Sequence, residues 1–568
     1  MFFNTPRGLL RAIHSLLATP FGFNAGQSMT GPLAPHLLPR PDFEALIALG
    51  QLFDEAVAAL RPAMVELRAH LENDAALVIP VDADFDAVCR NVFDADMDGG
   101  LASARLISQI SVRIQLERLF DFFKLRRSGR GDALRNPACI LAIQTLMLSE
   151  ALALCLAGVA KVSHEGQRFD LSARDGRASR SLRNTWFARS TDALCHEGTQ
   201  VLAQKLADGG AEHVDELDRL TLRLMDRDLS LPWLQMDEGR RLNSVLQIRA
   251  ATELVAVLTV LGIRAQPLGM NRRDLSRHGL DFDTVMGLLR RQADALVTDR
   301  FLERQGDHLS LRFEASSKGL RQLFRVLELE FGERSALQRH AGGKFFELTY
   351  IRERIASGQD YLPRYRILDG FDRHGVIGDI DNQCDIEFIL HDTEQAHYYF
   401  IQAKHALLGE KAFFEAMVEA VQGDLGYGLN QLREAKRLLG EGLLHRTLAE
   451  RGITDAHPGN CSFVLLHNIA QFDFQEVDDG LSMYDWATFR NLLKDAEYSD
   501  DGPDGPTQRL RLPTPLVITS PSAVIHRLLT EHPAFGAGRA TGVRWAQEEA
   551  STSIDLLGRT VNLRGLGL

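Results

Sequence analysis

The stretch CDIEFILHDTEQAHYYFIQAKHA, residues 384–406, constrains the fold more than any other part of the chain. Two runs rich in aromatic and β-branched residues flank a short polar segment, which predicts two strands joined by a turn. On the first strand Asp385 and Glu387 alternate with Ile386, Phe388 and Leu390. On the second, Gln402 and Lys404 alternate with Ile401 and Ala403. Period two puts Gln402 and Lys404 on one face. A turn around Thr393 and Glu394 would set Asp385 directly opposite Gln402, with Cβ atoms about 5 Å apart. An acid, an amide and an ammonium then converge at one end of a hairpin.

That grouping suits phosphodiester hydrolysis, which needs an activated water and relief of charge on the phosphorane-like transition state. A bound Mg²⁺ (or Mn²⁺) supplies both, prefers oxygen ligands and keeps several waters. Asp385 is the expected anchoring carboxylate. The Gln402 side-chain oxygen and the Ala403 carbonyl are further candidate metal ligands. Lys404 is expected to orient the attacking water or stabilise charge at the phosphate. Gln402 is neutral where an acid would add charge, and Glu347 is the expected replacement. It lies in GGKFFELTYIRERIA (342–356), which predicts a helix. Positions 347, 351 and 355 share a face made apolar by Ile351 and Ile355, so a carboxylate there needs a reason. Asp379 and Asp381 compete with Asp385 for the anchoring role. Glu387 points to the same face and ranks as a supporting group.

Asp385, strand, turn, strand and Gln402-Ala403-Lys404 together resemble the core of PD-(D/E)XK nucleases. The resemblance is nearest to the Mrr-like restriction endonucleases, in which glutamine replaces the acid of the E-x-K triplet. YRILDGF (365–371) fits as a first strand, KAFFEAMVEAVQ and LNQLREAKRLLG as helical segments, and CSFVLLHNI (461–469) as a further strand. The resemblance covers roughly residues 336–530. It implies a restriction-endonuclease-like αβββαβ domain and a metal-dependent DNA endonuclease of restriction or anti-phage defence. A repair or recombination nuclease of the same fold is an alternative, and so is an inactive nuclease-fold scaffold. Double-strand cleavage would imply a homodimer or repeated encounters.

Residues 250–314 predict helix, short helix, helix and a hairpin turning at Gly306-Asp307, the order of a winged helix. Arg272, Arg273, Arg277, Arg290, Arg291 and Arg304 are candidate DNA contacts. The net charge of −12 argues against indiscriminate nucleic-acid binding, so any contact depends on local basic patches and metal.

The 568 residues divide into an N-terminal arm (1–40), a helical domain (41–245), the winged-helix candidate (246–330) and the nuclease-like domain (336–568), a multidomain α plus α/β chain. Thr5-Pro6 predicts a helix start, and Leu9, Leu10, Ile13, Leu16 and Leu17 an apolar stripe that packs onto the protein body. Six scattered cysteines without a C-x-x-C pair disfavour a zinc ribbon or disulfide scaffold and fit a reducing cytoplasm. The run 138–162 approaches membrane-spanning length, but Gln144, Ser149 and Glu150 interrupt it, so it predicts a buried helix and no membrane attachment. Asp94, Asp96, Asp98 and Gly99 imitate the start of a calcium loop, but Arg105 stands where a bidentate Glu is required, which favours a capped turn. The arginine-rich segment 172–190, with Trp186 and Phe187, predicts an exposed loop, or else a phosphate-gripping one.

Overall fold

The computed structural model describes residues 44–53, parts of 55–62 and 141–155, and 160–228, 243–294, 301–311, 346–357, 363–376, 384–405, 424–469, 472–502, 505–533 and 551–566, apart from a few single positions inside these ranges. The N-terminal arm, the Asp94–Arg105 loop, Asp379, Asp381 and the segment 411–422 lie outside them.

Helices and mixed sheets are both present, distributed over two compact units. The first comprises residues 1–190, 411–422 and 538–568. Its sheet joins β1 (Ala160–Glu165) and β2 (Arg168–Ala173) to β14 (Ser551–Leu556) and β15 (Arg559–Arg564), in the order β1-β2-β15-β14. Val162, Phe169, Leu171, Ile554, Leu556, Val561 and Leu563 are buried in it. Three sequence expectations change here. The run 138–162 ends in strand β1, because its last residues start a period-two alternation of buried and exposed positions. Residues 176–190 form the beginning of helix α1 (Gly176–Asp208) instead of a loop, with Leu182, Phe187 and Ala188 buried. The last two strands, grouped in sequence with 336–568, join this sheet instead: β15 runs parallel to β2, and β14 pairs antiparallel with β15.

The second unit, residues 191–410 and 423–537, holds two sheets that matter here. Its first part carries α2 (Asp218–Asp228), α3 (Asn243–Ile263), β3 (Leu268–Gly269), α4 (Arg272–Arg277), α5 (Phe282–Asp294), β4 (Leu302–Gln305) and β5 (His308–Leu311). The three strands order as β3-β5-β4, with a tight turn at Gly306-Asp307. Among the described residues α3 is the one helix long and apolar enough to cross a membrane, over Leu246–Ile263. It packs against α2, α5 and β5, and Ala251, Leu254, Val255, Leu258 and Leu261 are buried. A helix apolar on most sides is what the middle of such a module requires.

The larger sheet has six strands in the order β10-β11-β9-β8-β7-β6. They are β6 (Tyr365–Phe371), β7 (Ile386–Asp392), β8 (His397–Ala403), β9 (Cys461–His467), β10 (Gln475–Asp478) and β11 (Leu481–Asp485). β6, β7 and β8 form an antiparallel meander, whereas β9 and β11 run parallel to β8. Every residue of β9 is buried, as expected for a central strand covered on both faces. Helix α6 (Ile351–Ala356) precedes β6, and α7 (Asp424–Gly440) supplies the connection between parallel β8 and β9. Helix α8 (His445–Ala449) follows α7, and α9 (Trp486–Leu492) follows β11. A two-stranded ribbon of β12 (Tyr498–Gly502) and β13 (Gly505–Leu510) and helix α10 (Pro521–Glu531) complete the unit.

Candidate active site

The β7–β8 turn occupies residues 393–396, and the ladder pairs Asp392 with His397 through Phe388 with Ile401. This corrects the register expected from sequence by two residues. The last pair of the ladder is Phe388 with Ile401, and the same offset carried onward would set Glu387 opposite Gln402 and Asp385 opposite Lys404. A shift of one residue would have moved every side chain to the other face; a shift of two preserves the faces and changes only the partners. The expected turn centre, between Thr393 and Glu394, falls one position too early, because the turn runs on to Ala396, whose left-handed backbone (φ +47°) an alanine does not signal. In the structure Asp392 ends β7 and accepts hydrogen bonds from the N–H groups of Glu394 (3.1 Å) and Gln395 (3.2 Å).

Helix α7 covers the face that carries these residues. Gly428 makes that approach possible: a Cβ there would lie 2.8 Å from Leu465 Cδ1, 3.1 Å from Lys404 Cγ and 3.5 Å from Gln402 Cγ. One turn further along α7, Gln431 reaches the strands. The Gln402 Nε2 donates to Gln431 Oε1 at 2.7 Å, and Gln431 Nε2 donates to Asp385 Oδ2 at 3.3 Å. Gln402 is fully buried, and its Oε1 has no hydrogen-bond partner. Buried polar atoms are rarely left so.

Glu347 approaches from a π-helical segment, with Phe346, Thr349 and Tyr350, that precedes α6. Such turns are uncommon and concentrate at functional positions. Its Oε2 lies 3.7 Å from Lys404 Nζ, and its Oε1 accepts the His405 N–H at 2.7 Å. One carboxylate thus holds both the ammonium and the backbone at the end of β8. Lys404 N–H donates to Leu466 O at 2.8 Å, which carries the parallel β8–β9 pairing one residue beyond the strand. The His405 ring packs edge-on against Phe346 at 5.1 Å.

Glu387 stands under this group. Burial, with Asp385 and Glu347 adding negative charge, pushes its carboxyl up to about 8, and Lys404 opposes the shift. Across β6, Gly370 falls opposite Glu387, between the pairs Asp369–Phe388 and Phe371–Ile386. A Cβ at Gly370 would lie 1.8 Å from the Ile386 carbonyl oxygen, so only glycine lets the strands meet here.

Asp385, Gln402, Lys404 and Glu347 are therefore brought together. Among the described residues no group of three or more His, Cys, Asp or Glu stands ready to hold a metal ion. The donors that fit one are oxygen atoms of mixed kind: the Asp385 carboxylate, the orphaned Gln402 Oε1 and the Ala403 carbonyl. Mg²⁺, which is commonly held by one or two carboxylates and several waters, tolerates such a set. Sequence reasoning misses Gln431 and ranks Glu387 low. Gln431 sits in the apolar stripe of α7 with Gly428, Leu432 and Ala435, and a glutamine there is the available signal. Glu387 was ranked low only because of the register.

The six arginines of the smaller module look different. Arg272 lies 3.2 Å from Asp283 and stacks over the Phe282 ring at 4.4 Å. Arg277 lies 3.4 Å from Glu212, and Arg304 donates to Gly306 O at 2.8 Å. Arg290 donates to Met286 O at 3.3 Å within α5. Arg273 and Arg290 are exposed and Arg291 is half-buried. No family model matches this chain, and neither a curated protein nor a solved structure matches it significantly.

Proposed function

We propose that the chain is a metal-dependent phosphodiesterase that cuts DNA, an endonuclease of restriction or anti-phage defence. The observation that carries this reading is the convergence of Asp385, Gln402, Lys404 and Glu347 at the end of a β-hairpin, with a buried amide oxygen left unpartnered. The order helix, β6, β7, β8, α7, β9 supports a PD-(D/E)XK-like, Mrr-like core. In this reading Asp385, Gln402 Oε1 and the Ala403 carbonyl hold Mg²⁺, which when bound supplies an acidified water and a Lewis acid for the phosphate. Lys404 orients the nucleophilic water or meets charge developing on the phosphate oxygens. Glu347 fixes Lys404 and, through the His405 N–H, the backbone on which it stands. The element order of residues 243–311 supports a winged helix that positions DNA, and two copies would deliver two cuts.

The test is incubation of the purified protein with modified and unmodified plasmid in Mg²⁺, Mn²⁺ or EDTA. Metal-dependent nicking that Lys404→Ala and Asp385→Ala both abolish is the expected result. A second reading, a non-cleaving scaffold of the same fold, draws on the net charge of −12 and on arginines already paired with carboxylates. DNA binding or partner binding without nicking in any metal would favour it.

A further inference from the structure

A glutamine is an ambiguous metal ligand. It presents either an oxygen, which binds a hard cation, or an NH₂, which repels one. A carboxylate has no such ambiguity. A site that uses Gln402 in place of an acid must therefore fix the amide the right way round.

We propose that Gln431 is the positioning residue that does this. It turns the Gln402 oxygen, and not its NH₂, toward a divalent cation, and the inference rests on the metal-dependent reading of the site. The argument follows the hydrogen bonds. A carboxylate accepts and does not donate, so Asp385 takes the NH₂ of Gln431. Gln431 is then left with its oxygen facing Gln402. That oxygen can only accept, so Gln402 must spend its NH₂ on it, at 2.7 Å. The Gln402 oxygen is what remains, buried and unpartnered. Orientation thus passes from a charged group through one amide to another, with no free choice along the chain. Gly428, one turn earlier on α7, keeps the helix close enough for the relay to span.

The experiment measures Mn²⁺ binding to the full-length protein by calorimetry and by the loss of the free-ion electron-resonance signal, without DNA. Gln431→Met keeps the volume and removes the relay. It should weaken Mn²⁺ binding about 10–100-fold, the range seen when an outer-shell partner is lost, with an unfolding midpoint close to that of the parent. The double variant Gln431→Met with Gln402→Glu should recover most of the affinity, because a carboxylate needs no orienting. Damage to packing alone would not be repaired that way. If Gln431→Met does not fold, Gln431→Asn, too short to reach both partners, carries the same expectation and the same rescue. Parental affinity in the single variants, or no rescue by Gln402→Glu, overturns the positioning role while leaving the nuclease reading intact. No Mn²⁺ binding by the parent overturns both.

Discussion

Arg277 and Lys404 each sit beside a glutamate, but the two pairs live in different media. The Arg277 side chain is 74% exposed where it meets Glu212, whereas Lys404 and Glu347 are 11% and 16% exposed. An exposed pair gains about 0–1 kcal/mol and is screened by salt. A desolvated pair is held by its surroundings, and losing one partner leaves a buried charge that costs about 3–5 kcal/mol. The same residue chemistry therefore carries different information in the two regions. In the small module it describes a solvated surface. At the end of the β7–β8 hairpin it marks groups placed against the solvation cost.

The sharpest way to break this comparison is to remove one cation from each region. Lys404→Ala should reduce metal-dependent nicking of supercoiled plasmid by about 10²–10³-fold or more, with DNA affinity largely kept, since Lys404 acts on the transition state. Asp385→Ala should lose metal binding as well. Arg277→Ala should leave nicking at saturating DNA near the parental rate. Equal losses in Lys404→Ala and Arg277→Ala would remove the distinction.

Glycines give a second, smaller contrast. Gly370→Ala drives a methyl into the Ile386 carbonyl, and the strands must separate. It should cost about 3 kcal/mol or more, the upper end for overpacking. Gly306, at φ +61° in the module's turn, has nothing within 4 Å of a new Cβ. Gly306→Ala should cost only the left-handed backbone penalty of about 1–2 kcal/mol. Unfolding midpoints of the two variants check the order; a milder Gly370→Ala would mean that the hairpin is not clamped at Glu387.

The two regions should also respond to pH with opposite sign. Burial first, then Asp485, raises the Asp473 carboxyl well above its ordinary range, although it accepts the N–H groups of Phe474 and Asp485. Its contribution to stability is fully present below the ordinary aspartate range and is lost as pH rises through the raised value. The Thr284 N–H and hydroxyl lower Asp281, at the start of α5. Its contribution is present above the ordinary range and is lost as pH falls through the lowered value. Asp473→Asn should remove a loss of stability on going from acid toward neutral pH. Asp281→Ala should remove a smaller one on acidification. Unfolding midpoints from about pH 2 to 8 separate the two, and matching signs would contradict the assignment of burial as the dominant cause at Asp473.

The alternation in residues 384–406 was enough to place four site residues on one face, because pleat parity survives a register error of two. It was not enough to pair them, because the four-residue turn ends on Ala396 in the left-handed region, which the residue type does not signal. The order of elements from Asn243 to Leu311 was readable from helical periodicity and the Gly306-Asp307 turn. Only the two-residue strand β3, too short for any pattern, was missed. The sheet that joins β2 to β15 was out of reach for another reason. Its partners are separated by most of the chain, and local pattern carries no long-range pairing. Gln431 was visible as a polar residue in an apolar stripe, but its role depends on Asp385 and Gln402 arriving beside it.

The smallest effect is expected in the module, where it is also the most diagnostic. Replacing Arg272, Arg273 and Arg277 with Ala should weaken DNA binding and flatten its dependence on salt, because each phosphate contact releases roughly one counterion. Arg272 and Arg277 already lie beside Asp283 and Glu212, so part of their charge is neutralised before DNA arrives. The slope of log affinity against log salt should therefore fall by about 1–2, short of the nearly 3 that three free arginines would give. Cleavage should fail at low DNA concentration and recover when DNA is raised, since the chemistry sits on the β7–β8 hairpin. Binding curves from about 50 to 200 mM salt resolve such a change. An unchanged slope would mean that this surface meets protein instead of DNA. Residues 41–245 would then become the better candidate for holding DNA near the site.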